Sequence, residues 1–312
     1  VSERPPDLFA WNTLDTSQRP LDLDSTLLCG QVFRWRRDEA GIWWGVVDRA
    51  VLALFQGREP DGRPAASVLW QTFPERNRWP LVRDYFGLET DLLALYDLWL
   101  EAEPRIRPAV DAYRGLRVLR QPPAECFFSF QCASCNTIVK IERSVEALAR
   151  RYGEPIDSGL DTPPMRFFAF PGAEALAGAD ESVLRSDLWG YRAPRVIELA
   201  RDLLLRPEGW LEGLGEATYE EARRELSALR GVGTKIADCI CLAALGKHDA
   251  VPIDTHTRRI ACRLWMPELA ARSLTPRVYE ELAGAFRSRF GAYAGWAQQV
   301  LFYADTQRGR LG

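Results

Sequence analysis

Two things are scarce in this chain of 312 residues: histidine, present twice, and long apolar runs. Two histidines argue against a histidine-based metal site. No apolar stretch approaches the roughly 20 residues that a membrane span needs. The opening VSERPPDLFAWN lacks the basic and apolar regions of a signal peptide, so an intracellular protein with no membrane association is expected. Cysteine is present in odd number: seven positions scattered from Cys29 to Cys262 do not form the framework of a small secreted domain, and reduced thiols are expected. There is no repeat of fixed period and no low-complexity tract. A basic excess is missing too, with 40 Lys and Arg against 43 Asp and Glu and a net charge of −3. Net charge by itself therefore gives no sign of a polyanionic partner.

What is present is a globular composition, 47% apolar and 11% aromatic, in a chain long enough for two or three packed domains. Charge is unevenly placed. Between Arg223 and Arg263 eight Lys and Arg face four Asp and Glu, and the last stretch carries Arg287, Arg289, Arg308 and Arg310 against Asp305. A local excess of this size supports a binding surface without establishing one.

Two regimes follow each other along the chain. Residues 30 to 56 alternate apolar and polar positions, are rich in Val, Trp and Phe, and break at DEAG and DR, which predicts an antiparallel meander. GREPDGRP then reads as a loop. After about residue 80 the spacing becomes helical: Leu92, Leu95, Tyr96 and Trp99 share one face, and Pro104 closes that segment. Further apolar stripes bounded by Pro, Gly or cap residues continue to the end. A small antiparallel β domain followed by a larger helical region is expected, an α+β chain.

The stretch LRGVGTKIADCICLAALGKHDAVPIDTH, residues 229–256, carries the chemistry. TYEEARRELSAL before it predicts a helix with a Thr cap, GVG a tight turn, and TKIADCICLAAL a second helix. Glycines at 231 and 233 allow positive φ and clear the way for backbone N–H groups at the second helix's start to approach a phosphate. An ordinary turn between two helices fits GVG equally well.

Lys235 falls in the first turn of that second helix, where the helix dipole disfavours an ammonium, ahead of an apolar run. A depressed pKa, hence a neutral nucleophilic amine able to form a Schiff base, is one reading; contact with a phosphate is the other. Asp254, before THTRRIACRLW, reads as that helix's N-cap and also as a fixed carboxylate. A carboxylate facing an amine suits cleavage of a glycosidic bond, because the departing base leaves a cationic sugar that the anion stabilises while the amine attacks C1′.

In its details this stretch resembles the helix-hairpin-helix motif and following aspartate loop of the 8-oxoguanine DNA glycosylase/AP lyase family. GQVFRWR at 30–36, VLRQPPAECFFSFQCASCN at 118–136, LWGYRAPRV at 188–196 and GAYAGWAQQVLFYAD at 291–305 match the same family in order, from about residue 20 onward. The resemblance implies an N-terminal antiparallel β-sheet domain over 1–103 and two mainly helical domains, one from 104–135 with 246–312 and one from 136–245, the hairpin lying at about 220–245. It makes Lys235 the Schiff-base nucleophile and Asp254 the catalytic carboxylate. Gly30 would offer its carbonyl to the protonated N7 that distinguishes 8-oxoguanine from guanine, Cys239 and Phe302 would sandwich the flipped base, and Gln298 would read its Watson–Crick edge. Gly231, Gly233 and His256 would meet the DNA backbone; Asn136, Lys140, Tyr191 and Arg192 would form the wedge and read the opposite base. The implied partner is double-stranded DNA containing 8-oxoguanine, bound by a monomer without cofactor, in the cytoplasm or nucleoid of a bacterium or the nucleus of a eukaryote.

The chain departs from the family where the opposite cytosine is read. Cys135 replaces the first Asn of the family's run, Asn136 remains, and Lys140 stands where the family has Arg. Lysine lacks the guanidinium fork, so weaker selectivity for cytosine is expected. Cys126, Cys132 and Cys135 have C-x5-C-x2-C spacing, but an iron–sulfur cluster of the endonuclease III type needs four cysteines after the hairpin, and only Cys262 lies beyond the hairpin helix. No metal is expected. Two other classes are weighed: a monofunctional glycosylase for another damaged base would keep Asp254 without Lys235, and a non-catalytic helix-hairpin-helix DNA-binding protein would leave Gly30 and Asp254 unexplained.

Overall fold

The computed structural model describes residues 5, 8–133, 136–160 and 164–308, the side chains at 188 and 308 apart. Five antiparallel strands, β1 (Asn12–Asp15), β2 (Arg36–Arg37), β3 (Trp43–Val47), β4 (Ala50–Phe55) and β5 (Ser67–Phe73), form a sheet in the order β1-β5-β4-β3-β2. The meander expected within 30–56 is β2-β3-β4, which β5 and β1 extend on the β4 side. β4, AVLALF, is buried at every residue and so reads as a continuous apolar run. Its Leu52 and Leu54 pack with Trp43 and Trp70 on one face, and its Val51, Ala53 and Phe55 with Trp44 and Phe73 on the other. Leu54 lies opposite both Trp43 and Trp70, which places three large side chains abreast. The helices Leu23–Leu28 and Trp79–Tyr85 cover the first face through Leu23, Leu27, Val82 and Tyr85.

The second regime begins as expected. Helix Leu92–Ala102 starts where the Asp91 side chain accepts the Ala94 N–H, buries Leu92, Leu95, Tyr96 and Trp99, and stops before Pro104. The helices that follow share one large core. The region is not helical throughout, however. A two-stranded ladder of β6 (Pro155–Ile156) and β7 (Phe167–Phe168) reaches back to the sheet, where the Phe167 ring lies 5.8 Å from that of Trp44. Beside it the buried Arg34 guanidinium donates to the Phe168 carbonyl and pairs with Glu125 and Glu146, tying the sheet to the helices. Among the described residues no helix is long and apolar enough to cross a membrane.

Candidate active site

The helix–hairpin–helix begins at a capping box. Thr218 accepts the Glu221 N–H and Glu221 reaches back to the Thr218 N–H, starting helix Tyr219–Ser227. Gly231 turns the chain at φ +86°, and helix Thr234–Ala243 follows at once. The two glycines do different work. Gly233 is the N-cap at φ −79°, so the positive φ expected there is absent; it is exposed and a Cβ there would meet nothing, which leaves the amides at the helix start open.

Lys235 and Asp254 arrive at one cavity of about 60 Å³, lined also by Gly30, Gln31, Val118, Phe130, Cys239, Leu242, Pro252, Gln298, Gln299 and Phe302. Asp254 is the N-cap of helix Thr255–Leu264, its Oδ1 accepting the Thr257 N–H at 2.7 Å, so the cap also fixes the carboxylate's direction. Lys235 is partly buried, with its ammonium 5.5 Å from the centre of the Phe130 ring. The depressed lysine pKa expected from the helix dipole is overturned. Burial pulls it down, but the interaction with Cys239 and the charge of the Asp254 carboxylate together outweigh it, and the group ends above the ordinary lysine value. Burial raises the Cys239 thiol's own pKa in spite of Lys235. The resting amine is therefore charged and must lose a proton before it attacks.

Gly30 sits at φ +80° between two side chains: a methyl group added there would lie 3.5 Å from Ile138 Cδ1 and 4.0 Å from Phe302 Cε1. Gln299 donates to the Cys29 carbonyl at 3.1 Å, and Gln31 donates to the carbonyls of Thr26 and Arg117, so the backbone around Gly30 is held from both ends of the chain. Gln298 donates to Thr257 Oγ1 at 2.9 Å, while its buried Oε1 has no partner among the described residues. Such an orphan acceptor in a cavity is a vacancy for a ligand's donors. His256 packs edge-on against Phe302 at 5.6 Å, with its Nδ1 3.0 Å from Asp305. Asp305 is buried and also pairs with Arg259 and Arg263; burial would raise its pKa, but the hydrogen bonds from Arg259 and His256 hold it low.

None of the residues expected at the opposite base lines that cavity; Lys140 and Tyr191 are exposed, and Asn136 and Arg192 are partly buried. Tyr191 is 67% exposed, with the Arg192 guanidinium 4.3 Å from its ring centre. Asn136 accepts its neighbour Thr137's N–H, and Lys140 is exposed near the start of helix Ile138–Tyr152. Cys135, Arg310 and the departure read at Cys135 lie outside the described residues. Cys126 and Cys132 are buried free thiols, and among the described residues no group of three or more His, Cys, Asp or Glu is placed to hold a metal ion.

Reading the sequence missed Gln31 and Gln299 as pocket residues. Two glutamines inside apolar runs, in CGQVF and AQQVLF, are the signal that was available, since a buried amide needs partners.

Two family descriptions match the chain: the 8-oxoguanine DNA glycosylase N-terminal domain over residues 13–127 and the HhH-GPD superfamily base excision DNA repair protein over 132–283. N-glycosylase/DNA lyase OGG1 of Arabidopsis thaliana is 34% identical over 95% of this chain and 80% of its own length. The N-glycosylase/DNA lyase of Saccharomyces cerevisiae is 30% identical over 94% of this chain and 86% of its own. The 8-oxoguanine glycosylase/lyase of Clostridium acetobutylicum, solved with double-stranded DNA containing cytosine opposite 8-oxoG, superposes with a TM-score of 0.78 at 26% identity, covering 93% of each chain. With its sheet, its hairpin and a cavity joining Gly30 to Lys235, Asp254 and Gln298, the chain belongs to the 8-oxoguanine DNA glycosylase family of helix-hairpin-helix base excision repair proteins.

Proposed function

We propose that Lys235 is the nucleophile and Asp254 the electrostatic partner in a bifunctional enzyme that removes 8-oxoguanine from DNA and then cleaves the abasic strand. The convergence of Lys235, Asp254, Gly30 and the orphan carbonyl of Gln298 on one cavity carries this reading. The flipped base enters between Cys239 and Phe302; Gln298 accepts from its Watson–Crick edge and the Gly30 carbonyl from its N7–H, a donor that guanine lacks. Once deprotonated, the Lys235 amine forms a bond to C1′ as the glycosidic electron pair leaves with the base, and Asp254 stabilises the positive charge that develops on the sugar. The resulting adduct opens to a Schiff base, loses a C2′ proton and expels the 3′ phosphate by β-elimination. Gly231, Gly233 and His256 meet the backbone phosphates, with Tyr191 as wedge and Arg192, Asn136 and Lys140 beside the opposite base. We infer a monomer acting on duplex DNA without cofactor.

Borohydride trapping on duplexes carrying 8-oxoguanine or a panel of other lesions tests this directly. A covalent adduct on the 8-oxoguanine duplex is expected; excision without any trappable adduct would mark a monofunctional enzyme, and binding without excision a mere DNA-binding module.

A further inference from the structure

We infer that Tyr279 is a positioning residue for excision, its single hydroxyl coupling the helix that carries Lys235 to the loop that carries Asp254. The inference rests on the roles assigned to those two residues and adds the link between them.

Asp238 lies one turn beyond Lys235 on helix Thr234–Ala243 and is fully buried. Its Oδ1 accepts the Tyr219 hydroxyl at 2.8 Å and forms an ion pair with the Arg223 Nε at 3.1 Å; its Oδ2 accepts the Tyr279 hydroxyl at 2.6 Å. Burial pushes the Asp238 pKa up, to about 6, against the pull of Arg223 and the two hydroxyls, so this carboxylate depends on its donors. Tyr219 and Arg223 come from the first hairpin helix; the Tyr219 hydroxyl ties the two hairpin helices to each other, and Arg223 also pairs with Glu280, but neither is bonded to the loop before Asp254. Tyr279 differs. It stands on helix Pro276–Phe290, and its oxygen also accepts the N–H of Ile253 at 3.1 Å, the residue immediately before Asp254.

Residues 251–254 belong to no helix or strand, and Ile253 is buried. The loop's backbone therefore takes its place from side chains, and the Tyr279 hydroxyl is the one that also grips the nucleophile's helix. The path is short: Lys235 helix, Asp238 carboxylate, Tyr279 oxygen, Ile253 amide, Asp254. Because the amine must reach C1′ while the carboxylate faces the same sugar, a small error in the loop's position acts on rate more than on binding.

Tyr219→Phe and Tyr279→Phe each remove one hydroxyl from Asp238, but only the second releases Ile253. Rates are measured by single-turnover excision on an 8-oxoguanine duplex and normalised to the fraction of enzyme that binds it. Tyr279→Phe is expected to slow excision about tenfold or more, with lesion affinity within about twofold of wild type and trapping still reaching completion at long times. Tyr219→Phe is expected to melt at a lower temperature yet excise within about twofold of wild type. Asp238→Asn, measured alongside, keeps the side chain's shape and loosens the Tyr279 anchor; it should slow excision severalfold with affinity retained, and it carries the test if Tyr279→Phe does not fold. Equal slowing in both tyrosine variants, or excision at the wild-type rate in Tyr279→Phe or Asp238→Asn, overturns the inference. A Lys235→Gln variant that still cuts would instead overturn the nucleophile assignment beneath it.

Discussion

The lesion cavity and the surface expected to face the opposite strand are built in contrasting ways. In the cavity, Asp254 is fixed by the cap it makes, Gln298 by Thr257, the Gly30 backbone by Gln31 and Gln299, and Phe302 by His256. Among the residues expected at the opposite base, Lys140 and Tyr191 project into solvent, Asn136 accepts its neighbour's amide N–H, and the Arg192 guanidinium lies over the Tyr191 ring. The contrast follows from what each region must do. Charge stabilisation in a transition state works best with groups already in place, whereas a surface that meets DNA takes its final arrangement from the partner.

If this division holds, changes in the cavity act on rate and changes among the residues expected at the opposite base act on selectivity. The largest effect is expected from Lys235→Gln, which should abolish strand cleavage and borohydride trapping while an 8-oxoguanine duplex still binds in a gel-shift assay, because affinity comes from backbone and pocket contacts. Asp254→Asn comes next. An amide preserves the cap to Thr257 but not the charge, so excision should fall about 100-fold or more with the melting temperature nearly unchanged. A collapsed melting temperature with near-normal chemistry would reduce Asp254 to a cap.

The third prediction concerns acidity. Lys235 sits above the ordinary lysine pKa, its ammonium predominates at neutral pH, and only the amine attacks; the single-turnover rate should therefore rise severalfold per unit from about pH 6 to about pH 9. A profile flat from neutrality upward would show that the amine is already free. The smallest effect belongs to the residues expected at the opposite base. Lys140→Arg with Cys135→Asn should sharpen the preference for cytosine over the other three opposite bases about tenfold, leaving the rate opposite cytosine almost unchanged. A wild-type enzyme that already rejects the other three bases strongly would break the division, since strand reading would then be prefabricated as well.

Much of this could be read before any coordinates. Thr218 with Glu221, Gly231, Lys235 and Asp254 were all legible because their roles are tied to local backbone: a cap, a turn, a first helical turn, another cap. Leu92, Leu95, Tyr96 and Trp99 were legible because four buried positions on one helical face leave a periodic trace. The charge on Lys235 was not, since the groups that raise it converge through tertiary packing and the helix dipole alone gives the opposite sign. Gly233 was misjudged in part: its φ is negative and open space surrounds it, so the turn itself does not require a glycine there. The β6–β7 ladder, two residues per strand, is too short to leave any periodicity, and the hydroxyl of Tyr279 lies on a helix whose sequence gives no hint of the loop it touches. The family resemblance supplied the roles of Gly30, Gln298 and Phe302, which no spacing would have revealed.

One consequence concerns how the cavity wall is assembled. The Gly30 turn and the Gln299 side chain that holds the preceding carbonyl are separated by nearly the whole length of the chain, and Phe302 completes the same wall. Without helix Ala294–Arg308, Lys235 and Asp254 would lack the Gln298, Gln299 and Phe302 wall of their cavity. That helix docks closely, since Gly295 brings its backbone N–H to the His248 carbonyl at 2.8 Å and leaves no room for a side chain. Lys235 and Asp254 thus share their cavity with side chains from the far end of the described residues, and the wall is a joint product of segments that the sequence keeps far apart.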